Sequence, residues 1–140
     1  MKKYAFAAAA LSTVLLVSPV AAQQDTVGNL FEKVTELFGT KGLKPTGFES
    51  RGMLAAGASQ TLSVPFKGGA SLAIIGVCDE NCKDLNLYVA DSKGNEVTSD
   101  VEDDDAPIAV VKKPGTYTVR VEMKTCGSSN CKFGVKAFAN

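Results

Sequence analysis

The sequence predicts an all-β protein: an antiparallel β-sandwich of about eight short strands, preceded by one short helix. Three observations predict it. Several runs alternate apolar and polar residues. The cleanest is Gly115 to Lys124, with Tyr117, Val119, Val121 and Met123 on one face and Thr116, Thr118, Arg120 and Glu122 on the other. Turn-forming groups separate the runs: Ala55-Ala56-Gly57-Ala58, Lys67-Gly68-Gly69 and Ser92-Lys93-Gly94-Asn95. Regularly spaced short strands with turns between them indicate a sandwich or barrel. Finally, Ser71 to Val77 is almost continuously apolar, as expected of a central strand covered on both sides.

In chain order, residues 1–22 read as a cleaved secretory signal. Lys2 and Lys3 precede an apolar run from Ala5 to Val17, and Val20-Ala21-Ala22 suits a signal peptidase. The run is too short for a membrane span. Cleavage after Ala22 takes 22 of the 140 residues and both lysines with it, leaving 118 residues with 13 basic and 15 acidic groups. That is one domain, without the basic surface that nucleic acid or anionic membrane requires. The expected destination is the periplasm or the medium.

Residues 23–46 read as a short amphipathic helix and a linker. Leu30, Phe31, Val34, Leu37 and Phe38 recur at helical spacing. Asn29 is the expected cap, Gly39 the expected end, and Lys41 to Gly47 the linker. The helix is expected to cover one end or edge of the sandwich; docking on a larger partner is its alternative use.

The sandwich spans 47–140. Its expected strands are Phe48–Leu54, Gln60–Phe66, Ser71–Val77, Leu85–Ala90, Glu96–Asp100, Pro107–Val111, Gly115–Lys124 and Lys132–Phe138. Leu85, Leu87 and Val89 face inward, and Asn86 and Tyr88 outward, where they form a candidate binding face. Tyr117 is expected to be a corner tyrosine with its hydroxyl hydrogen-bonded.

Four cysteines, Cys78, Cys82, Cys126 and Cys131, in an exported chain imply disulfides. Local pairing, Cys78 with Cys82 and Cys126 with Cys131, is favoured because the residues between them suit tight loops. Such short loops contribute about 2 kcal/mol each in the loop-entropy model, so they are expected to pin loop shape more than to hold the fold. Spacings of three and four residues suit zinc poorly.

The chain has no histidine, which removes Ser-His-Asp and Cys-His catalysis and imidazole metal sites. A hydrolase would need a carboxylate pair among Asp84, Asp91, Glu96, Asp100 and Asp103. The dense carboxylates Asp100, Asp103, Asp104 and Asp105, with Glu102, form a loop that would offer oxygen ligands to Ca2+. A weaker cation candidate is Asp79-Glu80-Asn81 with Asp84.

From about Gly52 to Phe138 the chain resembles the bacterial pre-peptidase C-terminal (PPC) domain. The pieces are Leu54-Ala55-Ala56-Gly57, Asp84-Leu85-Asn86-Leu87-Tyr88, Asp91-Ser92-Lys93-Gly94-Asn95 and Pro114-Gly115-Thr116-Tyr117-Thr118-Val119-Arg120-Val121. The resemblance implies a jelly-roll-like sandwich without catalytic activity, with a protein or an extracellular or cell-envelope polymer as partner and Ca2+ as an occasional ligand. Asn86 departs from the aspartate frequent there, and the absence of tryptophan removes the strongest stacking platform for a sugar.

Overall fold

The computed structural model describes residues 14–19 and 24–140. Most of the expected signal, with its cleavage point after Ala22, lies outside the described residues. Among them, no helix is long and apolar enough to cross a membrane.

One helix and eight strands follow in order: α1 (Thr26–Gly39), β1 (Lys44–Leu54), β2 (Ser59–Phe66), β3 (Leu72–Cys78), β4 (Cys82–Ala90), β5 (Glu96–Asp100), β6 (Ile108–Val111), β7 (Gly115–Cys126) and β8 (Cys131–Ala139). The first sheet has the order β1-β8-β3-β6, the second β2-β7-β4-β5. Within these sheets β1 pairs with β8, β2 with β7, β3 with β6 and β4 with β5, all antiparallel. The first half of the chain is thus a ribbon paired with the second half and wrapped into two layers, which is the jelly-roll arrangement.

The alternation expected from the sequence is the alternation observed. Leu85, Leu87, Val89, Val119, Val121, Met123, Phe133 and Val135 are fully buried between the sheets. Every residue of β3 is buried. Leu72 and Ile74 enter the inter-sheet core, while Ala73, Ile75 and Val77 meet α1 on the outside.

The helix lies on the outer face of the first sheet rather than at an end or edge. Val27, Phe31 and Phe38 pack with Ala73, Ile75, Val77 and Phe138, and Leu30 and Val34 are half-buried beside them. Phe38 meets Phe138 edge-on, with centroids 4.8 Å apart. Gly134 makes this approach close, because a Cβ there would collide with the Phe31 ring and lie 2.7 Å from Val27 Cγ1. The apolar stripe that a partner would need is therefore spent inside the molecule; of its five members only Leu37 is exposed. Helix α1 starts earlier than expected. Asp25, not Asn29, is the cap, with its carboxylate accepting the Gly28 N–H at 3.0 Å. That bond, and then Arg51 at 2.8 Å, hold the Asp25 carboxyl below its ordinary value.

Strand β1 also starts early, inside the stretch read as linker. Breakers interrupt a strand less at an edge, where one side needs no partner. Pro45 sits in such an edge strand, and the register shifts between Pro45 and Glu49, where Gly47 adopts φ +92°. Pro65 is likewise in an edge strand, β2.

Cys78 is bonded to Cys82, and Cys126 to Cys131. Each bridge joins a strand of one sheet to a strand of the other: β3 to β4, and β7 to β8. Both lie at the same end, since Cys82 and Cys126 are register partners. The bridges close the corners where the chain changes sheet, a larger part than fixing loop shape.

Candidate functional site

The two outer faces differ. That of the first sheet is occupied by α1. That of the second is open and polar, carrying Thr61, Ser63, Thr116 and Thr118 among its exposed residues. Alternation alone puts these residues outward, and β4 supplies Tyr88 to the same face.

Tyr88 is half-buried for a specific reason. The Arg120 guanidinium sits 3.8 Å from its ring centroid, a cation–π stack across the β4–β7 pairing that brings Tyr88 opposite Arg120. Arg120 also bonds to Glu122 at 3.1 Å. This stack borders a shallow concavity of about 240 Å³ with Thr61, Gly94, Glu96 and Thr118. The sequence placed Tyr88 here but gave no sign that Arg120 would cover its ring.

Asn86 is a correction. It was expected as an exposed contact, yet it is only 4% exposed. The Asp104 carbonyl accepts the Leu85 N–H at 2.9 Å, which lays the acidic loop alongside the first half of β4. The Asn86 amide donates to Glu122 Oε1 at 3.4 Å, towards β7. Its Oδ1 is buried and has no hydrogen-bond partner. Asp84 Oδ1, two residues earlier on the same strand, is also buried and unpartnered. Burial pushes the Asp84 carboxyl up, and Asp103, Asp104 and Glu122 add to the rise against the opposing Lys124.

The acidic loop holds itself together. Asp100 accepts the N–H groups of Ile108 at 2.8 Å and Glu102 at 3.3 Å, and Asp104 accepts that of Ala106 at 3.0 Å. Asp103 and Asp105 are exposed. Among the described residues no three or more carboxylates, cysteines or histidines gather as a metal cluster. Two buried acceptors without partners, Asp84 Oδ1 and Asn86 Oδ1, lie two residues apart on β4, and Asp103 and Asp104 are near enough to Asp84 to raise its carboxyl. This donor set is all oxygen, suited to Ca2+ rather than to a softer metal.

Asp91 and Asp79, two further carboxylates among the candidates, have structural partners. Asp91 accepts the Asn95 and Lys93 N–H groups, which lower its carboxyl and fix the turn around Gly94 at φ +84°. Asp79 is buried, and its two oxygens accept the N–H groups of Asn81 at 3.1 Å and Lys132 at 2.7 Å. The Asp79–Asn81 turn is thus a tie between the two disulfide corners. The Tyr117 hydroxyl donates to the Lys113 carbonyl, as a corner tyrosine does.

The Asp84 carboxyl leads to a prediction. A carboxyl raised in the folded state binds its proton more tightly there than in the unfolded chain. Its ionisation therefore costs stability as pH rises past the ordinary aspartate value. Without calcium, Asp84→Asn is expected to raise the neutral-pH Tm above wild type, the difference closing as pH falls below the carboxylate range. With millimolar calcium, wild type should gain and the variant should not. Thermal unfolding across pH, with calcium and with EDTA, checks both arms; equal calcium shifts in the two proteins would remove Asp84 as a ligand.

No protein-family model matches the chain, and no curated protein matches it significantly.

Proposed function

We propose that this protein is an exported, non-catalytic β-sandwich module, similar to the PPC domain. It acts in the periplasm or outside the cell by contacting a protein or an extracellular or envelope polymer. Its working surface is the outer face of the second sheet, around Tyr88, Arg120, Thr61 and Thr118. Ca2+ serves it as a structural ligand, held by Asp84 and Asn86 against the acidic loop. The observation that carries the reading is the difference between the two sheets. One outer face is filled by α1, while the other stays open and presents hydroxyls beside a stacked guanidinium. Hydroxyls and a cation suit a partner rich in hydroxyl and carboxylate groups, and the two disulfides suit an oxidising compartment.

Co-sedimentation with purified peptidoglycan, a polymer of that chemistry, tests this. Wild type is expected to pellet with the polymer. Arg120→Ala and Thr118→Glu are expected to weaken binding about tenfold or more, the first by losing a charged hydrogen bond and the second by setting a like charge against the polymer's carboxylates. Equal binding by wild type and both variants would move the working surface elsewhere.

A further inference from the structure

Six large apolar side chains of the sandwich and its helix are exposed: Leu37, Met53, Val97, Val101, Ile108 and Val110. Four of them belong to β5, β6 and the loop between. Val97 is 48% exposed, Val101 52%, Ile108 42% and Val110 46%. Ile108 and Val110 stand on the outer side of β6, at the margin of the sheet face that α1 covers, since their register partners Ile75 and Ala73 pack against the helix. Val97 and Val110 line the same concavity, about 280 Å³, with Lys112 and Lys113. At the other end, the Asp100 carboxylate at the end of β5 accepts the Ile108 N–H at 2.8 Å, tying β5 to the start of β6 next to Val101.

The patch is polarised. Its Val97–Val110 end is flanked by Lys112 and Lys113, both exposed. Its Val101–Ile108 end is flanked by Glu102, Asp103, Asp104 and Asp105, also exposed. A patch with an apolar centre, one basic end and one acidic end is complementary to itself under a two-fold rotation. The rotation lays the valines on the partner's valines and each lysine pair beside the partner's carboxylates. We infer that this edge is an interface between two copies of this chain, a two-fold dimer. Side chains make the contact, and the Asp100 carboxylate already occupies the Ile108 N–H at the start of edge strand β6.

Sedimentation equilibrium of the purified protein tests this. Wild type is expected to be dimeric. Lys112→Glu with Lys113→Glu puts like charges at both ends and is expected to raise the dissociation constant about tenfold or more. Adding Glu102→Lys, Asp103→Lys and Asp105→Lys to that variant leaves Asp104 as the only carboxylate of the four, restores opposite charges and should restore the dimer; Val110→Glu in wild type should abolish it. All these positions are exposed, and far-UV circular dichroism verifies that each variant is folded. A wild type that stays monomeric up to about 1 mM, weaker than any specific dimer of use, overturns the inference and leaves the patch to a different occupant. Failure of this five-site charge reversal to restore association also overturns it. Neither result bears on the open sheet face, which lies on another side of the sandwich.

Discussion

Replacing Gly134 with alanine is expected to destabilise the protein by about 2–3 kcal/mol, the upper part of the range for overpacking. One methyl group is small, but it has nowhere to go. Its carbon would collide with Phe31 Cζ and lie 2.7 Å from Val27 Cγ1. Both residues are buried, and Phe31 is held from above by Arg51 and Lys136, at 5.2 Å and 5.3 Å from its ring. The ring cannot swing out without losing those cations. Either α1 lifts from the sheet or β8 bends. Denaturant unfolding followed at a helix-sensitive wavelength measures the loss. Phe31→Leu removes ring atoms from the contact, so in the Gly134→Ala background it should cost less than it does in wild type. Purely additive costs would mean that Gly134 does not seat the helix.

Asp79→Ala is expected to be at least as damaging, by about 3–5 kcal/mol. A hydrogen bond to a charged group contributes about 1.5–3 kcal/mol, and a buried donor left bare is costly in its own right. Alanine strands two donors at once, the N–H groups of Asn81 and Lys132. These join the corner closed by Cys78–Cys82 to the start of β8 beside Cys131, so both sheet crossings loosen together. An asparagine side chain at this position would keep one acceptor and turn its amide N–H groups towards the other donor. Asp79→Asn should therefore recover only part of the loss. Urea unfolding with an unchanged slope would assign the effect to stability rather than to a changed unfolded state. Losses below about 1 kcal/mol, ordinary for a surface change, would mean that solvent supplies what the carboxylate does.

Strand positions were legible because a strand that buries one face leaves a period of two in the sequence. β7 shows this from Tyr117 to Met123, while β3, covered on both sides, shows an unbroken apolar run. Local disulfide pairing was legible from the tight loops. Strand order was not, because β1 meets β8 from opposite ends of the domain and no local pattern encodes that pairing. The same gap hid the role of the bridges: that Cys78 and Cys82 lie in different sheets depends on the order. Edge position decides how much a Pro or Gly disrupts, so the start of β1 at Lys44 was masked by Pro45 and Gly47.

At the candidate site, alternation placed Asn86 and Tyr88 outward but could not say what lies over them. The acidic loop runs along β4 at Asn86, and Arg120 stacks on Tyr88; both are tertiary events. The acidic run itself was visible as a loop. Its internal hydrogen bonds, which engage Asp100 and Asp104 with their own backbone, need coordinates to be seen. Asp79 read as part of a weaker cation candidate, and its burial and its bond to the Lys132 N–H follow only once β8 passes beside it.

The open face of the second sheet is the centre of the functional reading, and amide chemical-shift mapping tests it most directly. Isotopically labelled protein is titrated with soluble peptidoglycan fragments in the presence of calcium. The expected shifts saturate and concentrate on Thr61, Tyr88, Thr118 and Arg120, with α1 and the β5–β6 edge unchanged. Shifts confined to α1 or to Val97, Ile108 and Val110, or no shifts at all, would contradict a working surface on that face.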